Sequence, residues 1–388
     1  MIQRRSSRRS FLATSSAFGA AMLAGCATGA VSSERALSNT NSLNIVNWAE
    51  YIDLQSVSAA QDFLGVTIDY REDYTDNVTG FDEIIEPALA TTGSTNAFDI
   101  IVPTNWLAAR MISNGWVEAL PLEEIPNHVN LDPAFLTNEW DRGSRFQMPW
   151  QAGITGIAYD PERVGGDITS VESLFDRELR GRVGLVGEMR EAVGLAMLFN
   201  GDDPSNPTAQ SARAGLDLIL SLVDQGHFGF IVFDDFTNRL QDGELDATMA
   251  WSGQAAALAL DDDRFRYVIP DEGGISWFDT MVIPKGAPNF TNAARWMNWA
   301  YDPLNAAEIT AFNLYVCPVL GTQELLRSRE GSSAATELAE NPLVFPDAAT
   351  RNRLFTWGTL NLEDELAIEA DFDALFEERF DNDLRFLG

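Results

Sequence analysis

Two residues in one glycine-rich segment could hold an organic cation. In the stretch Asp271–Pro284, a Glu-Gly-Gly turn leads into a strand that carries Trp277 and Asp279. Residues two apart on an extended chain project from the same face. An indole face attracts an alkylammonium group, and a carboxylate accepts its N–H groups. The spacing predicts a cation-binding pair; the alternative is a half-buried strand with one core aromatic residue and one solvated acid.

The elements that would position this pair alternate between strands and helices. A strand predicted at Leu43–Asn47 precedes a helical pattern at Leu54–Leu64. The apolar strand Phe98–Pro103 is followed by Thr104, a favourable N-cap for a helix from Asn105 to Asn114. Such alternation predicts βαβ units with parallel sheets, and the fold class is therefore α/β.

A second α/β set follows a segment that predicts a crossing between two lobes. Met148–Tyr159 is β-rich and broken by glycines. After it, the pattern predicts strands at 183–186 and 228–233, helices at 190–199, 208–225 and 235–240, a strand ending at Trp251, and a helical C-terminal region ending in 361–380.

Aromatic and acidic residues stand where these predicted strands end. In open α/β sheets, ligands bind beyond the carboxyl ends of the strands. We therefore expect a common cleft lined by Trp48, Glu50, Tyr51, Trp106, Trp150, Trp251, Trp277 and Asp279.

The N-terminus has the pattern of an export signal. Ser7–Leu12 contains a twin-arginine motif, and a short apolar run leads to the lipobox Leu23–Cys26. We expect residues 1–25 to be a signal peptide, Cys26 to be the lipidation site, and 26–42 to be a tether. The protein would then be periplasmic or at the cell surface, exported by the twin-arginine route and attached to the membrane only through the lipid on Cys26.

Composition excludes several classes of function. The formal net charge is −32, and removal of a signal with four arginines and no acidic residue makes it −36. This acidity argues against nucleic acid as a partner. Once Cys26 is lipidated, only Cys317 remains, so no intrachain disulfide is possible. His128 and His227 form no metal-ligand pattern, and we expect neither a metal nor a cofactor.

Five short motifs point to one family. They are Asn47–Tyr51, Phe98–Thr104, Glu188–Glu191, Trp251–Gly253 and Gly273–Asp279. In these motifs, over about Leu43–Asn361, the chain resembles the periplasmic spermidine/putrescine-binding proteins of polyamine ABC transporters.

The resemblance implies a two-lobed periplasmic-binding-protein fold of type II. Each lobe would contain a mixed sheet flanked by helices, and crossing strands would form a hinge. Lobe 1 would comprise 43–152 and 278–320, and lobe 2 would comprise 153–277 and 321–388. The crossings are expected near Gln151–Thr155, near Trp277–Thr280 and near Gly321.

The resemblance also implies the ligand and the roles of individual residues. Indoles such as Trp277 would pack on the polyamine methylenes, while Asp279 and Glu191 would each bind an ammonium group. The implied ligand-binding set is Trp48, Glu50, Tyr51, Thr104, Trp106, Glu188, Glu191, Trp251, Gln254, Trp277, Asp279 and Tyr315. Glu188 replaces an aspartate of the spermidine binders, and Gln254 replaces an acid of a putrescine-preferring member. An ABC permease would be the partner of a monomeric protein without catalytic residues.

Other functions remain open at this stage. The same fold could bind an amino acid, an opine-like compound or thiamine, although an α-amino acid needs a cation for its carboxylate. Arg190 is the basic residue inside a matched motif. An enzyme that uses Glu188 and Glu191 as an acid–base pair is a second alternative, but no nucleophile or phosphate loop accompanies them. A polyamine sensor is a third.

Overall fold

The protein consists of two compact units. The computed structural model describes residues 41–74, 76–86, 98–329, 331–381 and 385–386. Unit 1 contains the described residues up to Gln151 together with Phe278–Phe312 and Cys317–Arg329. Unit 2 contains Ala152–Trp277, Asn313–Val316 and the described residues from 331 onward. The predicted signal, the tether up to residue 40 and Cys26 lie outside the described residues.

The strands of the described residues are β1 Ser42–Trp48, β2 Thr67–Tyr74, β3 Ile100–Ile101, β4 Gln147–Tyr159, β5 Val183–Val186, β6 Phe228–Val232, β7 Ala247–Trp251, β8 Arg266–Val268, β9 Gly274–Val282, β10 Leu354–Thr356, β11 Phe380–Asp381 and β12 Arg385–Phe386. The α-helices are α1 Leu54–Leu64, α2 Asn77–Gly80, α3 Asn105–Ser113, α4 Pro161–Val164, α5 Val171–Leu174, α6 Met189–Asn200, α7 Ala209–Asp224, α8 Phe236–Gln241, α9 Ser252–Asp261, α10 Phe290–Ala300, α11 Pro303–Asn313, α12 Thr322–Arg327, α13 Ser333–Ala339, α14 Ala348–Arg351 and α15 Leu362–Arg379.

Unit 1 is built around a parallel sheet with one antiparallel neighbour. β1 pairs in parallel with both β2 and β3, and β3 pairs antiparallel with β9 through Ile101 and Val282. Apolar side chains from β1, β9 and α3 form its core, among them Val46, Leu107 and Met111. This pairing brings the end of β1, the start of α3 and the unit 1 part of β9 to one region.

Unit 2 contains a mixed sheet with helices packed on it. β5 pairs in parallel with β6 and β7, and β7 pairs antiparallel with β4. β10 pairs in parallel with the start of β9, the strand that carries Trp277. Helices α6 and α7 pack against each other, and α15 contacts both. The buried face of α6 therefore lies between the sheet and the C-terminal helix.

Local sequence signals account for both ends of α1. Asp53 accepts hydrogen bonds from the backbone N–H groups of Gln55 and Ser56 at the start of α1, and Gly65 ends that helix in the left-handed conformation. Residues 77–80 form α2, and a π-helical turn, Phe81–Ile85, follows it; residues 87–97 lie outside the described residues.

The strand predicted at Phe98–Pro103 is shorter than expected. Only Ile100 and Ile101 form β3. The buried carboxylate of Asp99 accepts the backbone N–H of Asn44 at 2.8 Å, and the Asp99 backbone N–H donates to the Asn44 carbonyl at 2.8 Å.

The boundaries of the two units differ in part from those of the predicted lobes. The chain passes from unit 1 to unit 2 after Gln151 and returns to unit 1 after Trp277. Residues 313–316 belong to unit 2 and 317–329 to unit 1, so the predicted bounds differ from the units at Ala152, at 313–316 and at 321–329. In the described part of the chain, no helix is long and apolar enough to cross a membrane.

Candidate functional site

A buried carboxylate on β9 is the centre of a polar cluster in unit 1. Asp279 is only 2% exposed. The Tyr51 hydroxyl donates to its Oδ2 atom at 2.5 Å, and the Thr104 hydroxyl donates to its Oδ1 atom at 2.7 Å. Residues 104 and 279 also form an isolated antiparallel bridge. We call Tyr51, Asn77, Thr104 and Asp279 the Asp279 cluster.

The charge state of Asp279 follows from its burial. Removal from water raises the pKa of this carboxyl to about 7, and the hydrogen bonds from Tyr51 and Thr104 oppose the rise only in part. None of the groups that shift this pKa is a cation. Among the described residues, hydroxyl groups and no cation lower this pKa, which is the condition a cationic ligand would satisfy.

Thr104 occupies the predicted N-cap position before α3, but its side chain has another role. Its side chain makes no capping hydrogen bond at the start of α3. The hydroxyl donates to Asp279 instead, and it accepts from the Asn77 side-chain amide at 2.9 Å. The Asn77 carbonyl oxygen in turn accepts the Thr104 backbone N–H at 3.2 Å. The hydroxyl proton is therefore directed at the carboxylate.

The other candidates of unit 1 lie in three settings. The Trp48 indole N–H donates to the Val102 carbonyl at 2.8 Å. Glu50 is exposed and has a left-handed backbone with φ of 57°, and its backbone N–H donates to Glu72. Trp106 is half-buried, and the Arg110 guanidinium carbon lies 5.1 Å from its ring centroid. One face of this indole already contacts a cation of the protein itself.

A second buried carboxylate organises a cluster in unit 2. Glu191 lies in the first turn of α6 and is 6% exposed. Its Oε2 atom accepts from the Trp251 indole N–H at 2.7 Å and from the Thr155 hydroxyl. The same hydroxyl accepts from the Trp277 indole N–H at 2.9 Å. We call Thr155, Glu191, Trp251 and Trp277 the Glu191 cluster.

Aromatic rings and glycines shape the surroundings of the Glu191 cluster. The Trp277 ring centroid lies 6.3 Å from that of Trp251 and 5.8 Å from that of Tyr315. A Cβ atom on Gly153 would lie 2.3 Å from the Trp277 ring, and one on Gly253 would lie 2.5 Å from the Tyr315 ring. Both glycines are required because the rings lie directly on the backbone.

The remaining candidates of unit 2 stand near this cluster in the chain. Glu188 is the residue before α6 and makes no side-chain cap. Gln254 is in the first turn of α9, and its Oε1 atom is buried with no hydrogen-bond partner among the described residues. Arg190 is 6% exposed and forms ion pairs with Glu365 and Glu369 of α15.

The two predicted cation-binding residues Trp277 and Asp279 belong to different units. Trp277 is the last residue of its unit 2 segment, and Asp279 follows the start of a unit 1 segment. Each residue joins the polar cluster of its own unit. Within the ranges that the structure describes, no group of three or more His, Cys, Asp or Glu residues could hold a metal ion.

Sequence reasoning missed two members of these clusters. Thr155 is a polar residue in the middle of the buried strand β4, which is a recognisable signal because a buried hydroxyl requires a partner. Asn77 opens a short helix three residues after β2 ends and has no comparable signal.

A sequence profile described as bacterial extracellular solute-binding protein matches residues 69–325. The chain belongs to this family. The solute-binding protein is 26% identical over 317 residues to the spermidine/putrescine-binding periplasmic protein of Escherichia coli (strain K12), covering 80% of this chain and 85% of the relative. It is also 26% identical over 335 residues to a putrescine-binding periplasmic protein of the same organism, covering 81% and 85%.

Solved structures agree with the sequence comparison. A putative spermidine/putrescine ABC transporter from Listeria monocytogenes superposes with a TM-score of 0.74 at 26% identity, covering 87% of this chain and 99% of that one. The fold of the solute-binding protein is therefore the two-lobed, mixed α/β fold of periplasmic binding proteins. The predicted fold class and the predicted family resemblance are confirmed.

Proposed function

We propose that this solute-binding protein captures a polyamine, putrescine or spermidine, and delivers it to an ABC permease. The observation that carries the proposal is Asp279, a buried carboxylate that two hydroxyls hold and to whose pKa no cation of the described residues contributes. An ammonium group would pair with it. Glu191, which is held by Trp251 and Thr155, is the candidate for a second ammonium group. The names of the relatives support the same ligand class.

The aromatic residues provide the apolar part of this interaction. Trp48 and Tyr51 are the candidates in unit 1, and Trp251, Trp277 and Tyr315 are those in unit 2. Each ligand methylene group that is removed from water contributes about 0.8 kcal/mol. Cation–π contact adds roughly 1–2 kcal/mol where the ammonium is desolvated. Because micromolar affinity requires only about 8 kcal/mol, two ion pairs and these contacts are sufficient after the ordering costs are subtracted.

The setting of Arg190 argues against an amino acid as the ligand. An α-carboxylate needs a basic partner, and Arg190 is the basic residue inside a matched motif. Its guanidinium Nη2 atom lies 3.0 Å from Glu369, and Glu365 accepts from it as well. A carboxylate ligand would have to compete with two acids for this buried cation. We therefore propose a polyamine as the ligand, and not a zwitterionic amino acid.

Isothermal titration with putrescine, cadaverine, spermidine and spermine tests the ligand class. We expect low-micromolar binding of at least one polyamine and loss of that binding in Asp279→Asn. Glu324→Gln removes the same charge from a side chain of unit 1 that is 68% exposed, and it serves as the matched control. No heat with any of the four amines would refute the polyamine assignment, and equal weakening by both variants would refute the role of Asp279.

Export and attachment belong to the same proposal. We propose that the twin-arginine signal directs export, that Cys26 is diacylated, and that the protein acts as a monomer. Mass spectrometry of the N-terminal peptide of the native protein and of Cys26→Ser checks the acylation. A mature N-terminus without lipid in the native protein would contradict it. Uptake of labelled polyamine by cells with and without the gene distinguishes delivery to a permease from sensing, because a sensor leaves uptake unchanged.

A further inference from the structure

The hydroxyl of Thr155 joins two candidate ligand-binding residues of unit 2. Thr155 is fully buried in β4. Its hydroxyl donates to the Glu191 carboxylate and accepts from the Trp277 indole N–H at 2.9 Å. A hydroxyl has one proton to donate and lone pairs to accept with. It therefore serves both neighbours at once, which an aliphatic side chain of the same size does not.

The backbone beside Thr155 is held on both sides. The backbone N–H of Ile154 donates to the Ser252 hydroxyl at 3.2 Å. The backbone carbonyl of Ile154 accepts from the Tyr267 hydroxyl at 2.6 Å. The next residue, Gly156, has no room for a side chain, because a Cβ atom there would lie 2.5 Å from the Val268 carbonyl. These contacts fix the position from which the Thr155 hydroxyl projects.

The carboxylate of Glu191 is held from a second direction. The Trp251 indole N–H donates to Oε2, the same oxygen that the Thr155 hydroxyl contacts. Residues 155 and 251 are direct partners in the antiparallel pairing of β4 with β7. Two donors from adjacent strands thus set the orientation of one carboxylate. A side chain held in this way loses less conformational freedom when a ligand arrives.

We propose that Thr155 is a positioning residue for ligand binding. Its hydroxyl holds the Glu191 carboxylate and the Trp277 indole in their binding orientations before the ligand is present. Thr155 acts through these two side chains, since its hydroxyl already donates to Glu191 and accepts from Trp277. The inference rests on the proposed function, because it assigns the same two residues to the ligand.

Three variants of Thr155 test the proposal. Thr155→Val removes the hydroxyl and conserves shape, Thr155→Ser keeps the hydroxyl, and Thr155→Ala lacks it and replaces the valine variant if that one does not fold. In unliganded, indole-¹⁵N-labelled protein, we expect the Trp277 and Trp251 indole N–H resonances to shift in the valine variant and to stay near their wild-type positions in the serine variant. Unchanged resonances in the variants without the hydroxyl would overturn the proposal.

Affinity gives a second, independent measure. We expect the polyamine Kd to rise roughly tenfold in Thr155→Val, which corresponds to about 1.4 kcal/mol, and to recover in Thr155→Ser. Trp277→Phe keeps an aromatic ring and loses the N–H that donates to Thr155. Because both changes remove the hydrogen bond between Trp277 and Thr155, their effects should be less than additive in the double variant. Full additivity, or wild-type affinity in Thr155→Val, would overturn the proposal.

The outcomes separate the positioning role from the proposed function. If the wild-type protein binds no polyamine, the proposed function fails, and the indole resonances of the unliganded variants still decide whether Thr155 holds its two neighbours. If the wild type binds a polyamine and Thr155→Val binds it equally well, the proposed function stands and the positioning role fails.

Discussion

Polyamine binding should weaken about 30-fold when the pH is lowered from about 8 to about 5.5. The cause is Asp279, whose pKa burial raises to about 7. At the higher pH most molecules carry the ionised carboxylate, whereas at the lower pH only about 3% do. A cationic ligand pairs with the ionised form. The fraction of binding-competent protein therefore sets the apparent affinity.

Titration calorimetry in buffers of different ionisation enthalpy measures this linkage. Below the pKa of Asp279, each bound polyamine should release close to one proton, and above it this group should release almost none. Asp279→Asn should bind weakly at every pH and lose this proton release. Tyr51→Phe removes one of the two hydrogen bonds that lower the pKa of Asp279, so the midpoint of the affinity curve should move to higher pH.

The raised pKa also acts on the stability of the unliganded protein. An acid that binds its proton more tightly in the folded state than in the unfolded state stabilises the fold below its unfolded pKa. This contribution is lost as the pH rises toward the folded pKa. For Asp279 the loss occurs between about pH 4 and about pH 7 and is on the order of 4 kcal/mol. Chemical denaturation of wild type and Asp279→Asn measures it. A polyamine affinity of the wild type that stays constant between about pH 8 and about pH 5.5 would refute the role of Asp279 in binding.

Two further substitutions, the first with a matched control, test the buried ion pair of Arg190 and the packing of the Trp277 ring. Glu369→Gln weakens the buried pair with Arg190 and should lower the free energy of unfolding by about 2 kcal/mol, whereas Asp371→Asn, in a half-exposed pair on the same helix, should change it by about 0.5 kcal/mol or less. Equal effects in denaturant titrations would contradict this difference. Gly153→Ala places a Cβ atom 2.3 Å from the Trp277 ring, so it should displace the indole, change its fluorescence and raise the polyamine Kd. Wild-type fluorescence and affinity would show that the ring does not depend on this glycine.

Sequence patterns identified the fold class and family because these depend on local, repeated signals. Helix α1 begins and ends where its pattern predicts, with Asp53 at its start and Gly65 at its end. Strand β5 has the predicted bounds, Val183–Val186. Alternation of strands and helices was sufficient to predict an α/β fold, and the motifs indicated the family before the profile match confirmed it.

The same patterns failed where tertiary contacts compete with local preference. Thr104 stands at the predicted N-cap position, but its hydroxyl donates to a carboxylate that is 175 positions away in the chain instead of capping the helix. The strand predicted from Phe98 is reduced to Ile100 and Ile101, and next to it the carboxylate of Asp99 accepts the backbone N–H of Asn44. Neither partner can be read from the neighbouring residues.

The amino-acid sequence by itself determined which side chains carry charge and aromatic surface, and where strands end beside them. Only the tertiary structure decided which of these side chains are joined by hydrogen bonds. It placed Tyr51 and Thr104 on Asp279, and Thr155 between Glu191 and Trp277. It also paired Arg190 with α15. The physical reason is that burial, hydrogen bonding and pKa depend on distances between residues far apart in the chain, and those distances exist only after the sheets have formed.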